Sequence, residues 1–141
     1  MIDDRCIITQ SDFVLLNALG DRDHLASELD KADIVDSTRV PSNVVTMNSR
    51  VLFEDEATGT TREVMIVLPE DADPVNGRVS VLAPVGTALL GLAENQSIVW
   101  PFPDGSQRRL RVLEVLYQPE ADARLTQVFR RIERDLTETE L

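Results

Sequence analysis

The segments VTMNSRVLF, residues 45–53, and REVMIVL, residues 62–68, decide the fold class. Both are rich in β-branched residues and lie on either side of the turn signal Thr58-Gly59, a pattern that is typical of two antiparallel strands. Similar segments occur at residues 79–82, 97–100 and 110–117. The turn signals Asn76-Gly77 and Pro103-Asp104-Gly105 precede the first and the last of them. The sequence therefore predicts an antiparallel sheet of about five strands.

One short helix accompanies these strands. Residues 84–92 place Val85, Leu89 and Leu92 on one face at helical spacing. One helix against such a sheet is an α+β architecture, and we place this domain at residues 44–118. The polar residues 37–43, which precede it, do not continue a helical pattern and form the predicted boundary.

A short antiparallel helical hairpin is predicted for residues 1–43. Thr9 suits the N-cap of a first helix that has Asp12 at its third position. Asp21 and Asp23 follow at the tip, where an aspartate caps the second helix. Apolar residues recur at helical spacing in both helices, namely Phe13, Leu16 and Leu19 in the first and Leu25, Leu29 and Ala32 in the second.

Residues 119–141 predict a further C-terminal helix that begins at Pro119, a favourable first helical residue. Its apolar stripe consists of Leu125, Val128, Phe129, Ile132 and Leu136. Such a stripe must be covered. Two interpretations remain open: the helix packs on its own domain or on a second copy in a homodimer, or it binds a dedicated partner.

Charge limits the classes of partner. The chain has 25 acidic and 14 basic residues and a formal net charge of −11. This charge repels nucleic-acid phosphates and anionic membranes, so we expect no direct sequence-specific nucleic-acid binding and no membrane association. A protein partner or a cationic ligand fits better. The single cysteine, Cys6, excludes an internal disulfide, and the acidic N-terminus does not resemble a signal peptide, so a cytoplasmic location is expected.

The sequence does not support catalysis or cofactor binding. His24, the one histidine, lies in the predicted hairpin turn, which disfavours a nucleophile-histidine system. The acidic residues at the hairpin tip and at 70–73 lack the number and spacing of calcium ligands. The segment GTALLG, residues 86–91, continues without the Lys-Ser/Thr of a phosphate loop. We therefore expect a protein that is not an enzyme and has no metal or cofactor. The one basic cluster consists of Arg108, Arg109 and Arg111. It is interpreted either as a solvated strand face or as a patch that binds an acidic protein surface.

Three segments carry a family resemblance: VVTMNSRV at residues 44–51, SVLAPVGTALLGL at residues 80–92 and LEVLYQPE at residues 113–120. They occur in order and resemble the GreA/GreB family of transcription elongation factors, in particular its Rnk branch, the regulators of nucleoside diphosphate kinase. The resemblance implies an FKBP-like fold for the central domain. It also implies docking of that domain on RNA polymerase, at the coiled coil on the rim of the secondary channel.

The same resemblance assigns the main polymerase-contacting element to Ala83, Pro84, Val85 and Gly86. Proline fixes the backbone there, and glycine allows a partner to approach closely. The alternative is that Pro84 only starts the helix and Gly86 only permits internal packing.

In GreA and GreB a long N-terminal coiled coil enters the channel, and acidic residues at its tip help to hold a catalytic magnesium ion for cleavage of backtracked RNA. Each helix of the hairpin predicted here has about 10 residues and a length of about 15 Å. Asp21 and Asp23 should therefore not reach the active centre. This predicts a regulator that competes with Gre factors without stimulating cleavage. Two alternatives are an adaptor or indirect regulator of nucleoside diphosphate kinase levels and, from the implied fold, a peptidyl-prolyl isomerase.

Overall fold

The computed structural model describes residues 6–19 and 29–139 and has a mixed α+β fold. Three helices lie wholly within these ranges, namely α1 (Gln10–Asn17), α2 (Pro84–Leu89) and α3 (Pro119–Thr139). The strands are β1 (Ile7–Thr9), β2 (Asp33–Val35), β3 (Arg50–Asp55), β4 (Thr60–Val67), β5 (Arg78–Ser80), β6 (Ser97–Pro101) and β7 (Gln107–Tyr117). Strands β3 to β7 form a five-stranded sheet in the order β5-β4-β3-β7-β6, which confirms the α+β class and the expected number of strands.

Strand β3 begins at Arg50, so the predicted strand start at Val45 is wrong. Residues 46–49 form a turn, in which the Ser49 N–H donates to the Thr46 carbonyl at 3.0 Å. Asn48 adopts a left-handed backbone conformation with φ of 66°, which asparagine tolerates better than most residues. The β-branched residues before Arg50 are buried as a loop, because local propensity does not distinguish a buried loop from a strand.

The sheet is antiparallel except at one edge. Strand β5 pairs with β4 in parallel, with Met65 opposite Arg78, so a wholly antiparallel sheet is a wrong prediction. The connection over residues 68–77 contains two short 3-10 turns, Pro69–Asp71 and Pro74–Asn76. A connection of this length carries the chain back alongside Met65, the third residue from the end of β4, whereas a two-residue turn would have forced an antiparallel hairpin.

Helix α2 packs against one face of the sheet and ends at Leu89, before the predicted end at Leu92. Its Ala88 and Leu89 are buried in the same cluster as Trp100. Alternate residues of the central strands point into this core, as the period of two requires: Val51, Phe53, Val64, Ile66, Leu110 and Val112.

The N-terminal segment shares this core. Thr9 caps α1 as predicted, since its Oγ1 accepts the Asp12 N–H at 3.1 Å. Leu16 of α1 is buried in the common cluster. Strands β1 and β2 form a parallel pair that the sequence did not reveal, because three residues per strand are too few to show a period. Most of the predicted second hairpin helix, including Asp21 and Asp23 at its tip, lies outside the described residues.

Helix α3 begins at Pro119 as predicted. In the described part of the chain, no helix combines the length and the hydrophobicity that a membrane span requires.

Candidate functional site

The predicted contact region is a tight turn between β5 and α2. The Val81 N–H donates to the Val67 carbonyl at 2.8 Å and ties the end of β5 to β4. Ser80 then organises the turn, because its Oγ accepts the Leu82 N–H at 3.0 Å and its carbonyl accepts the Ala83 N–H at 3.0 Å. The backbone of this turn is therefore held in place before any partner binds.

Thr87 of helix α2 also stabilises this turn through hydrogen bonds. Its N–H donates to the Ala83 carbonyl at 2.9 Å, and its buried hydroxyl lies within hydrogen-bonding distance of the Val81 and Ala83 carbonyls. Ala83 occupies the N-cap position without a side-chain cap, and Pro84 is the first helical residue. Proline suits this position because it has no N–H that would need a partner.

The four predicted contact residues differ in exposure. Ala83, Pro84 and Val85 are half-buried, whereas Gly86 is buried. A Cβ on Gly86 would overlap the carbonyl oxygen of Ser80 and lie 2.9 Å from its carbonyl carbon. Gly86 thus permits the close packing of α2 on the end of β5, and its glycine identity is explained inside the protein.

Leu82 is a surface residue that the sequence reasoning did not assign to the site. Its side chain is 40% exposed, whereas the preceding Val81 is fully buried. Strand alternation after the inward-facing Val81 is the signal that would have found it. We define the contact loop as residues 82–85, an apolar surface on a fixed backbone.

A groove of about 460 Å³ adjoins the contact loop at Val85. Its walls come from the turn between β3 and β4 and the turn between β6 and β7. Its apolar lining, buried or half-buried, consists of Phe53, Val85, Phe102 and Leu110. Contact loop and groove together make one continuous, largely apolar surface with two hairpin turns at its rim.

Arg108 stands at the rim of this groove. Its guanidinium lies 4.6 Å above the centre of the Phe102 ring and pairs with Asp55 at 3.6 Å and Asp104 at 3.7 Å. Hydrogen bonds from the hydroxyl and N–H of Ser106 lower the pKa of Asp104, so this carboxyl stays ionised. These contacts hold Arg108 in place, and they neutralise part of the basic cluster seen in the sequence.

A second group of polar residues is buried where α1, the turn at residues 46–49 and α3 meet. The carboxylate of Asp12 accepts the Met47 N–H at 3.1 Å, and the Thr46 hydroxyl donates to Glu120 Oε1 at 2.7 Å. Ser49 Oγ lies 2.8 Å from the same hydroxyl. Burial and, to a smaller extent, the neighbouring Glu120 charge together raise the pKa of Asp12 to about 6, against the lowering effect of the hydrogen bond from Met47.

The described residues contain no group of three or more histidine, cysteine or acidic side chains that could hold a metal ion. The acidic tip residues Asp21 and Asp23 lie outside them. The described region consists of an apolar loop, an adjoining groove with an apolar lining and a rim of paired charges.

Comparison with known proteins defines the class. The family model for the C-terminal domain of the transcription elongation factors GreA and GreB matches residues 40–117, more than half of the chain. The matched span contains the sheet, the contact loop and the groove. The chain belongs to the GreA/GreB family.

Within this family the chain is similar to the regulator of nucleoside diphosphate kinase of Escherichia coli K12. The two are 46% identical over 99 residues, which cover 70% of this chain and 73% of the relative. GreA of Clostridioides difficile is 38% identical over 60% of this chain, a match that spans 53% of that protein. A solved GreA/GreB elongation factor from Nitrosomonas europaea shares the fold, with a TM-score of 0.65 and 40% identity over 82% of this chain and all of that one.

Proposed function

We propose that this protein binds RNA polymerase through the contact loop and the adjoining groove and regulates transcription without catalysis of its own. The docking point would be the coiled coil at the rim of the secondary channel, where the protein competes with Gre factors in the cytoplasm. Family membership supports the polymerase as partner. The observation that carries the proposal is the contact loop itself, which presents apolar side chains on a backbone fixed by hydrogen bonds.

Each of the three segments of the chain would have a separate structural role. Residues 44–118 would form the docking domain, with the FKBP-like fold that the family resemblance implies. Residues 1–43 would form the short hairpin, and residues 119–141 an appended helix. Leu82 and Val85 are the residues most suited to meet the partner, because they expose apolar surface beside the groove. Gly86 would not contact the partner itself but would keep α2 close to the end of β5.

Binding is tested with purified polymerase core in a pull-down or titration. Val85→Asp and Leu82→Asp place a charge in an apolar interface and should each weaken binding at least about tenfold, and Pro84→Asp should act likewise. Val75→Asp is the matched control, because Val75 is 94% exposed and lies outside the groove. Undiminished binding by the Val85 and Leu82 variants would contradict the assigned surface.

The regulatory part of the proposal has two separate tests. An excess of the protein should displace labelled GreA from the polymerase, since both would occupy one docking site. Added to backtracked transcription complexes, the protein should leave the RNA at its original length. Shortened RNA would overturn the prediction that cleavage is not stimulated.

One alternative has its own support. The relative from Escherichia coli is named a regulator of nucleoside diphosphate kinase, so the chain could act as an adaptor or indirect regulator of that kinase. Deletion of the gene should then change the abundance of the kinase, whereas a strain in which Val85→Asp replaces the wild-type protein should keep the wild-type abundance. Under the main proposal, Val85→Asp and deletion should have the same effect.

A further inference from the structure

The start of helix α3 is fixed to the rest of the protein by polar contacts. Gln118 and Arg124 each donate to two backbone carbonyls, and Glu120 accepts from a hydroxyl. The carbonyls belong to Pro41 and Val44 for Gln118, at 2.7 and 2.8 Å, and to Ser37 and Val40 for Arg124, at 3.1 and 3.0 Å. These bonds set the direction of α3 at its start.

Four residues of the apolar stripe of α3 remain about half exposed beyond that anchor. Leu125 is 53% exposed, Val128 51%, Phe129 56% and Ile132 47%. Half-exposed side chains of this size leave roughly 400 Å² of apolar surface on one copy. A patch of about this size on a monomer is often functional. The interpretation that α3 packs along its own domain is therefore wrong for these four residues.

We propose that the stripe is a dimer interface, in which the α3 helices of two copies pack antiparallel about a two-fold axis near residues 128 and 129. The spacing of these four residues, Leu125, Val128, Phe129 and Ile132, is the same when it is read in either direction. A two-fold axis at its centre places Leu125 opposite Ile132 of the second copy and Val128 opposite Phe129. The same patch on both copies is thus self-complementary, which is what an isologous interface requires.

The charges fit the antiparallel arrangement better than the parallel one. Each chain carries a net charge of −11, so the two domains repel each other. Antiparallel packing places the two helix starts about 28 Å apart, well beyond the Debye length of about 8 Å, whereas parallel packing would leave them about 10 Å apart.

The size of the stripe predicts a reversible dimer. Two copies would bury about 800 Å² of apolar surface, and the flanking polar residues would raise the total to the lower limit for specific interfaces, about 1,200 Å². The contact loop remains free, because α3 follows Tyr117, which pairs with Arg50 at the start of β3. The groove lies at the other end of β3, beyond Asp55.

Sedimentation velocity over a wide concentration range tests the dimer. The wild-type protein should shift from 15.7 kDa toward twice that mass as its concentration rises into the high micromolar range. Phe129→Glu should raise the dissociation constant at least tenfold, and Gln127→Glu, on an exposed position off the stripe, should change it little. A wild-type protein that stays monomeric at about 0.5 mM, or a dimer unaffected by Phe129→Glu, would overturn the proposal.

Cysteine pairs test the direction of packing. A mixture of the Leu125→Cys and Ile132→Cys variants should form a disulfide-linked dimer on mild oxidation, whereas Leu125→Cys alone should not. The wild-type protein, with its buried Cys6, is the control. Linkage of Leu125→Cys to itself would overturn the antiparallel arrangement. Because the dimer is independent of the proposed function, Phe129→Glu should still bind RNA polymerase, and this separates failure of one proposal from failure of the other.

Discussion

Replacing Asp12 by asparagine should stabilise the protein at neutral pH. Asp12 is only 8% exposed, and burial together with the Glu120 charge raises its pKa from 3.8 to about 6. The ionised form is therefore the unfavourable one in the folded state. Asparagine carries no charge, and its carbonyl oxygen can still accept the Met47 N–H that the Asp12 carboxylate accepts at 3.1 Å.

The magnitude follows from linkage between protonation and folding. A pKa raised from 3.8 to about 6 corresponds to about 3 kcal/mol between the two protonation states. Since the folded-state pKa of Asp12 is the higher one, its stabilising contribution is complete below pH 3.8 and is lost as the pH rises through about 6. Asp12 also lies in the first turn of α1, where its negative charge stabilises the helix by about 0.3–1 kcal/mol, a contribution that asparagine lacks. After this loss is subtracted, Asp12→Asn should raise the free energy of unfolding by about 2 kcal/mol at pH 7.5.

Urea unfolding of wild type and variant between pH 4 and pH 8 measures this effect. The difference in free energy of unfolding should be largest above pH 6.5 and shrink toward pH 4. Asp71→Asn, an exposed position, is the matched control and should show no such pH dependence. A variant that is less stable than the wild type at pH 7.5, or a difference that does not change with pH, would refute the reasoning.

Three other substitutions test internal contacts and backbone conformation. Gly86→Ala should lower the free energy of unfolding by about 2–3 kcal/mol, because the added Cβ would overlap the Ser80 carbonyl. Gly59→Ala should lower it by about 1–2 kcal/mol, because a Cβ there meets no atom within 4 Å but the backbone has a φ of 70°. Thermal or urea unfolding measures both effects. Gln118→Ala should cost about 1–3 kcal/mol, because it leaves the Val44 carbonyl without this donor and removes one of the two donors of the Pro41 carbonyl, which keeps the Val44 N–H. Equal stability would contradict this.

Local patterns in the sequence were enough to predict much of the fold. The period of two in residues 62–68 marked β4, and the Thr58-Gly59 signal marked the turn that joins it to β3. Thr9 was identified as a cap because capping depends on residues only three apart. Pro119 was identified as the start of α3 because its backbone favours that position. Each of these features is decided by neighbours in the chain.

Contacts between distant segments were not predictable in the same way. The parallel pairing of β1 with β2 joins Ile7 to Asp33, and nothing in either three-residue segment specifies its partner. The burial of Asp12 also depends on residues far along the chain, since Met47 and Glu120 form its surroundings. For the candidate site, the family resemblance located the loop, but only the structure distinguished the exposed Leu82 from the buried Gly86.

The polar anchor of α3 has a practical consequence for work with fragments. The span that matches the family model ends at residue 117, one residue before Gln118. A fragment cut at that limit would keep every strand of the sheet but lose the side chains that hold residues 37–44, so its loop at Val40 and Val44 should loosen. A fragment meant to test the proposed docking should therefore extend at least through Arg124, so that both side chains of this anchor are kept.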